Sequence, residues 1–273
     1  MTTPEQDRGE VVRVFAPAGP GRRAVLRWAG RQARRSGARL EVLVEPDTGP
    51  GPRDGPDSAP AALVGRALGA LAGPSPADRL IRAAAGSRLL VVPQRAAGVD
   101  ELVDAAYESV TVVPDEAPHL DGPVVLALAP HTSDAVVDAA FEAASRRGAR
   151  LLAVWCRGLE RGGPSRDGED AGDTDDTDDT DAGRRWWEDR LAAWRIVHPR
   201  MPVEIRVAEN DPVAALVDLS GRARLLVLGR SVRGRVLAAL RPSPVPRVVR
   251  RARCPVLVVA PPGPPHRGWW RRP

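Results

Sequence analysis

The strongest constraint on this chain is that it repeats itself. Ser75 to Val92 aligns with Asp211 to Leu228 without a gap, at an offset of 136 residues. Gly37-Ala38-Arg39-Leu40 returns as Gly148-Ala149-Arg150-Leu151, and Phe15-Ala16-Pro17 is echoed by Leu128-Ala129-Pro130. The closing apolar runs, Val110 to Val113 and Val256 to Val259, align at an offset of 146, so the first copy lacks ten residues just before its last strand. Each copy alternates short apolar runs with helical periodicity, the pattern of βαβ units stacked into a parallel sheet. Such sheets hold ligands at the carboxyl ends of their strands.

The spacing predicts, in the first copy, strands at Val11–Phe15, Leu40–Val44, Leu89–Val92 and Val110–Val113. Helices are expected at Arg22–Ser36, stopped by Gly37, at Pro76–Ala84 and at Asp100–Tyr107, while Ala61–Leu71 reads as either a helix or a helical turn before a weak strand. In the second copy strands are expected at Val124–Leu128, Leu151–Trp155, Val203–Val207, Leu225–Leu228 and Val256–Val259. Ser133 or Asp134 is the expected cap of the helix ending at Arg147, and Asp211-Pro212 has the chemistry of an N-cap followed by a first helical residue. Trp186–Trp194 is expected to be helical, with Trp187 and Trp194 on one face. The domains are read as 10–115 (shortened) and 122–260, with an acidic disordered insert at 159–183 and a disordered tail at 261–273.

Composition narrows the function. Hydrophobic residues make up 43% of the 273 positions but aromatics only 4%, so the core must be built from Val, Leu and Ala. All forty basic residues are Arg, which reads as coding bias and weakens any argument that they were selected to grip nucleic acid. The formal charge is +5, although Asp167 to Asp181 alone carries nine acids. Cys156 and Cys254 make no metal-ligand pattern. The polar start is not a leader peptide and no apolar run reaches membrane-spanning length, so a cytoplasmic protein is expected. Neither paired carboxylates nor a nucleophile–base set is apparent, and the chain reads as not an enzyme, with no catalytic or metal site.

Both halves resemble universal stress protein domains in tandem. The likeness rests on Cys254-Pro255-Val256-Leu257-Val258-Val259 and on the run Arg146 to Leu151. It implies an α/β, adenine nucleotide alpha hydrolase-like fold, each domain having a mostly parallel five-stranded sheet of order 3-2-1-4-5 flanked by helices. Many members of the family bind ATP through an acidic residue after the first strand and a glycine motif after the fourth. Glycines let backbone N–H groups approach phosphate, and a helix N-terminus adds partial positive charge.

Carried over residue by residue, the motif starts at Gly229, has Val232 and Pro242 at its later glycine positions, and keeps the hydroxyl at Ser243. The acidic position is Ala129, and Ala16 in the first copy, where Pro93, Gln94 and Arg95 replace the start of the motif. The expectation is therefore a non-enzymatic universal stress protein acting in stress response or regulation through protein contacts, without the usual ATP binding and with no other cofactor. The alternative is an ATP- or adenine-nucleotide-binding sensor using a modified loop built from Gly229, Arg230, Gly234 and Ser243. The resemblance also implies pairing through the last strands, as an internal pseudo-dimer or a homodimer, with unidentified protein partners, no specific nucleic acid and no membrane.

Three features stand apart from that motif. His131 lies on the expected ligand rim and reads as an exposed loop residue. Arg247, Arg250, Arg251 and Arg253 cluster beside the last strand. Both cysteines read as buried small apolar residues.

Overall fold

The computed structural model describes residues 11–19, 21–44, 75–116, 121–156, 176–208, 211–230 and 243–260. The chain divides into two compact units, Met1–Asp115 and Glu116–Pro273.

In the first unit the elements run β1 (Val11–Phe15), α1 (Arg22–Ser36), β2 (Arg39–Leu43), α2 (Pro76–Ala84), β3 (Leu89–Pro93), α3 (Val99–Ala105) and β4 (Ser109–Val113). The described strands are all parallel, in the order β2-β1-β3-β4. Val12 sits between Leu40 and Leu89 in the register. Ala61–Leu71, read as either a helix or a helical turn before a weak strand, lies outside the described residues.

Local chemistry explains the helix boundaries. Gly37 ends α1 with φ 67°, a left-handed conformation that side chains disfavour. Ser75 opens α2 with a reciprocal capping box: its hydroxyl accepts from the Asp78 N–H while the Asp78 carboxylate accepts from the Ser75 N–H. The helix of Asp100–Tyr107 is shorter than expected, because Ala106 turns extended and leaves Tyr107 exposed.

The second unit comprises β5 (Val124–Leu128), α4 (Asp134–Ser145), β6 (Leu151–Cys156), α5 (Asp176–Val197), β7 (Val203–Ala208), α6 (Pro212–Ser220), β8 (Leu225–Gly229), α7 (Pro244–Arg251) and β9 (Val256–Val259). Its five strands are parallel in the order β7-β6-β5-β8-β9, the expected 3-2-1-4-5 arrangement. β5 and β6 are buried along their whole length, as strands covered on both faces must be, and read as unbroken apolar runs. Phe141, Leu191 and Trp187 are fully buried. Burying each such side chain contributes roughly 1.5–3 kcal/mol.

Two expectations are corrected here. The reading of 159–183 as disordered fails at its end, because residues 176–183 form the first turns of α5. Packing opposes disorder there: Gly183 lies so close to the Trp155 ring that a Cβ would fall 1.9 Å from Cη2, so the helix beds directly on β6. The rest of that insert, and the tail 261–273, lie outside the described residues.

The second correction concerns α4. Ser133 occupies its N-cap but makes no side-chain capping bond. The neighbouring Thr132 hydroxyl instead accepts from the Ala129 N–H at 2.8 Å.

Candidate functional site

The carboxyl edge of the second sheet gathers the ends of β5, β6 and β8 and the start of α7. It lies where the strand order reverses between β5 and β8, the usual place for a ligand in an open parallel sheet. Gly229, Arg230 and Ser243 all fall on elements that end or begin there. Gly234, Val232 and Pro242 lie outside the described residues.

Each described member of the motif has a local structural task. Gly229 ends β8 in register with Val259, and a Cβ on it would lie 2.9 Å from Val136 Cγ2. Close packing of α4 on β8 therefore demands this glycine whether or not phosphate ever approaches. The Arg230 N–H donates to the Val259 carbonyl at 3.2 Å, prolonging the ladder by one residue. Ser243 is the N-cap of α7, its hydroxyl oxygen accepting from the Val245 N–H at 3.2 Å.

The start of α7 bears directly on anion binding. A helix N-terminus holds phosphate through free N–H groups in its first turn. Here the first and third helical residues, Pro244 and Pro246, have no N–H at all, and the second, Val245, already donates to Ser243. Among the described residues the first turn of α7 thus offers no uncommitted N–H group to an anion.

The opposite side of the rim is closed by α5. Ala129, at the family's acidic position, is held in a tight turn: its N–H donates to Thr132 Oγ1, and its carbonyl accepts from the Thr132 N–H, both at 2.8 Å. Arg190 reaches over this turn and donates to the Thr132 carbonyl at 3.2 Å and to the Asp134 carboxylate at 2.6 Å. Its guanidinium also lies 5.5 and 5.9 Å from the ring centroids of Trp186 and Trp187. Those two rings meet edge to face at 4.6 Å. Trp187 is buried and Trp186 half exposed. One turn further on, Trp194 donates its indole N–H to Asp138 at 2.5 Å.

Sequence reasoning identified the tryptophans but missed Arg190. The signal was present: Arg190 follows Trp186 by four residues and Trp187 by three, spacings that stack a cation on aromatic rings along a helix. His131 is exposed on the rim, and Arg247, Arg250, Arg251 and Arg253 are exposed beside β9.

In the first unit the corresponding edge is built differently. Gln94 to Gly98 alone joins β3 to α3, where Arg230 to Ser243 joins β8 to α7. This edge carries a cavity of about 240 Å³ lined by residues that include Phe15, Pro17, Arg79, Leu80, Pro93 and Arg95. Ala16 is buried, with its N–H on the Leu43 carbonyl. Arg95 pairs with Asp115 at 3.0 Å.

Neither cysteine adds chemistry to these edges. Cys156 and Cys254 are buried, and desolvation pushes both thiols up to about 12.

Comparison with known proteins identifies the lineage. The sequence profile described as "Universal stress protein family" matches residues 122–260. The chain belongs to the universal stress protein family. A universal stress protein of Mycolicibacterium smegmatis is 31% identical over 208 residues, covering 68% of this chain and 66% of that relative. The crystal structure of a universal stress protein from Archaeoglobus fulgidus aligns with a TM-score of 0.57 at 16% identity, covering 90% of this chain and 95% of the other. A putative universal stress protein from Pseudomonas aeruginosa aligns with a TM-score of 0.57 at 15% identity, covering 92% of both chains. At those identities the two structures speak to the fold alone. The chain spans 66% of the length of the Mycolicibacterium smegmatis relative, just under two thirds. Among the described residues no helix is long and apolar enough to cross a membrane.

Proposed function

We propose that this universal stress protein is not an enzyme, that it acts in the cytoplasm by contacting other proteins, and that it does so without the ATP many of its relatives hold. The observation carrying this reading is the start of α7, where Pro244 and Pro246 remove two first-turn N–H groups and Ser243 takes the one between them. The absence of a carboxylate at Ala129 and the Arg95–Asp115 pair on the first unit's edge support it. The buried, fully protonated thiols offer no nucleophile at neutral pH.

Titration calorimetry of the full chain with ATP, with and without magnesium, tests the reading. No heat is expected up to millimolar nucleotide. Micromolar binding that weakens in Arg230→Ala would overturn it and select a nucleotide sensor built on the β8–α7 connection.

A further inference from the structure

The least explained surface of the molecule is the outer face of α1. Six of its fifteen residues are arginine and none is acidic. Arg23, Arg27, Arg31, Arg34 and Arg35 fall within about a third of the helix circumference at 3.6 residues per turn, and Arg23 to Arg35 spans about 18 Å. Like charges three and four residues apart destabilise a helix. Among the described residues none of these arginines has an acidic partner. The Arg31 guanidinium is held below its ordinary value by partial burial and then by the neighbouring charges of Arg35, Arg27 and Arg34.

Coding bias accounts for Arg in place of Lys, but not for this placement. Counting back from the shared Gly37 and Gly148, the positions of Arg23, Arg27 and Arg31 are held in the second copy by Asp134, Asp138 and Glu142. Those acids are all engaged: Asp134 with Arg190, Asp138 with Trp194 and Glu142 with Arg146. The same helix in the same fold thus carries paired acids in one copy and, among the described residues, arginines without an acidic partner in the other.

We infer that the arginine row of α1 is a docking surface for the phosphate backbone of duplex nucleic acid, read without regard to sequence. Three observations select this partner. The exposed residues of α1 are all arginine, with no aromatic or aliphatic anchor of the kind that carries protein–protein affinity. The helix's apolar face, Val25, Trp28, Ala29 and Ala33, is buried in its own unit and is not available to enter a lipid surface. A row of cations about 18 Å long needs a regular line of anions, which a duplex supplies at about one charge per 1.7 Å of axis.

The test is fluorescence anisotropy of a labelled, arbitrary-sequence DNA duplex with the full chain at several salt concentrations. Four to five neutralised phosphates predict that log K falls against log salt with a slope of about −4. Arg23→Gln, Arg27→Gln and Arg35→Gln should each weaken binding and make the slope shallower by about one, while leaving the melting temperature unchanged or higher. Arg247→Gln and Arg251→Gln, on α7, should leave the slope unchanged. Unaltered binding or slope in the α1 variants overturns the assignment. So does displacement of the duplex by polyglutamate at equal charge, which would point to an acidic protein, or an α1-dependent affinity seen for anionic vesicles but not for duplex.

Discussion

The guanidinium of Arg190 donates to the carboxylate of Asp134 at 2.6 Å across 56 residues of sequence, fastening α5 to the first turn of α4. The pair is partly exposed, with side-chain accessibilities of 32% and 68%, so its Coulomb energy is screened. Contact of Arg190 with Trp186 and Trp187, one of them buried, is expected to contribute more than the screened pair. Arg190→Ala should therefore destabilise the protein by about 1–2 kcal/mol in urea unfolding, and Asp134→Asn by under about 1 kcal/mol. Equal losses would assign the stability to the ion pair instead.

Gly229 tests whether a motif residue is kept for packing or for ligand. Gly229→Ala should cost about 1–3 kcal/mol by forcing a methyl against Val136. Shrinking the neighbour relieves that contact, so Gly229→Ala with Val136→Ala should lose less than the two single changes added together. Strict additivity in thermal or chemical denaturation would contradict the packing role.

Ser243 makes a parallel case. As the N-cap of α7 it should contribute about 1 kcal/mol, lost in Ser243→Ala and largely kept in Ser243→Asp. Asp retains the capping acceptor but would repel phosphate. Stability rescued by Asp is the expected result, and a failure of rescue would leave the hydroxyl without a structural reason.

The thiols set a pH dependence. Cys156 and Cys254 rise from an ordinary 9.0 to about 12 in the folded state, so the native protein holds protons that the unfolded chain has released. Their contribution is fully present below pH 9 and is lost as the pH climbs towards 12. At pH 8 both should react with a thiol reagent only as fast as the protein unfolds. Rapid labelling of native protein would place a thiolate where the fold shows none.

Much of this architecture is legible in residues alone. Strands such as Val124–Leu128 and Leu151–Cys156 are continuous apolar runs, and Ser75, Asp211 and the prolines beside them mark helix starts by local chemistry. The start of α5 was not legible, because its helical state depends on Gly183 meeting Trp155, a contact 28 residues apart that no local pattern records. At the site, the departure of Val232 and Pro242 from the family's glycine positions could be read directly. The closing of the rim by Arg190 could not, since it depends on how α5 lies against the turn after β5.

The proline pair that flanks Val245 also bears on how such a protein can change over time. Replacing either proline restores a single donor and surrenders part of the fixed backbone angle that starts the helix. Each step back towards an anion-holding turn is thus a loss of stability before it is a gain in affinity. Single substitutions at either proline therefore exchange stability at the helix start for one donor, which makes this turn slow to acquire anion-holding N–H groups one change at a time.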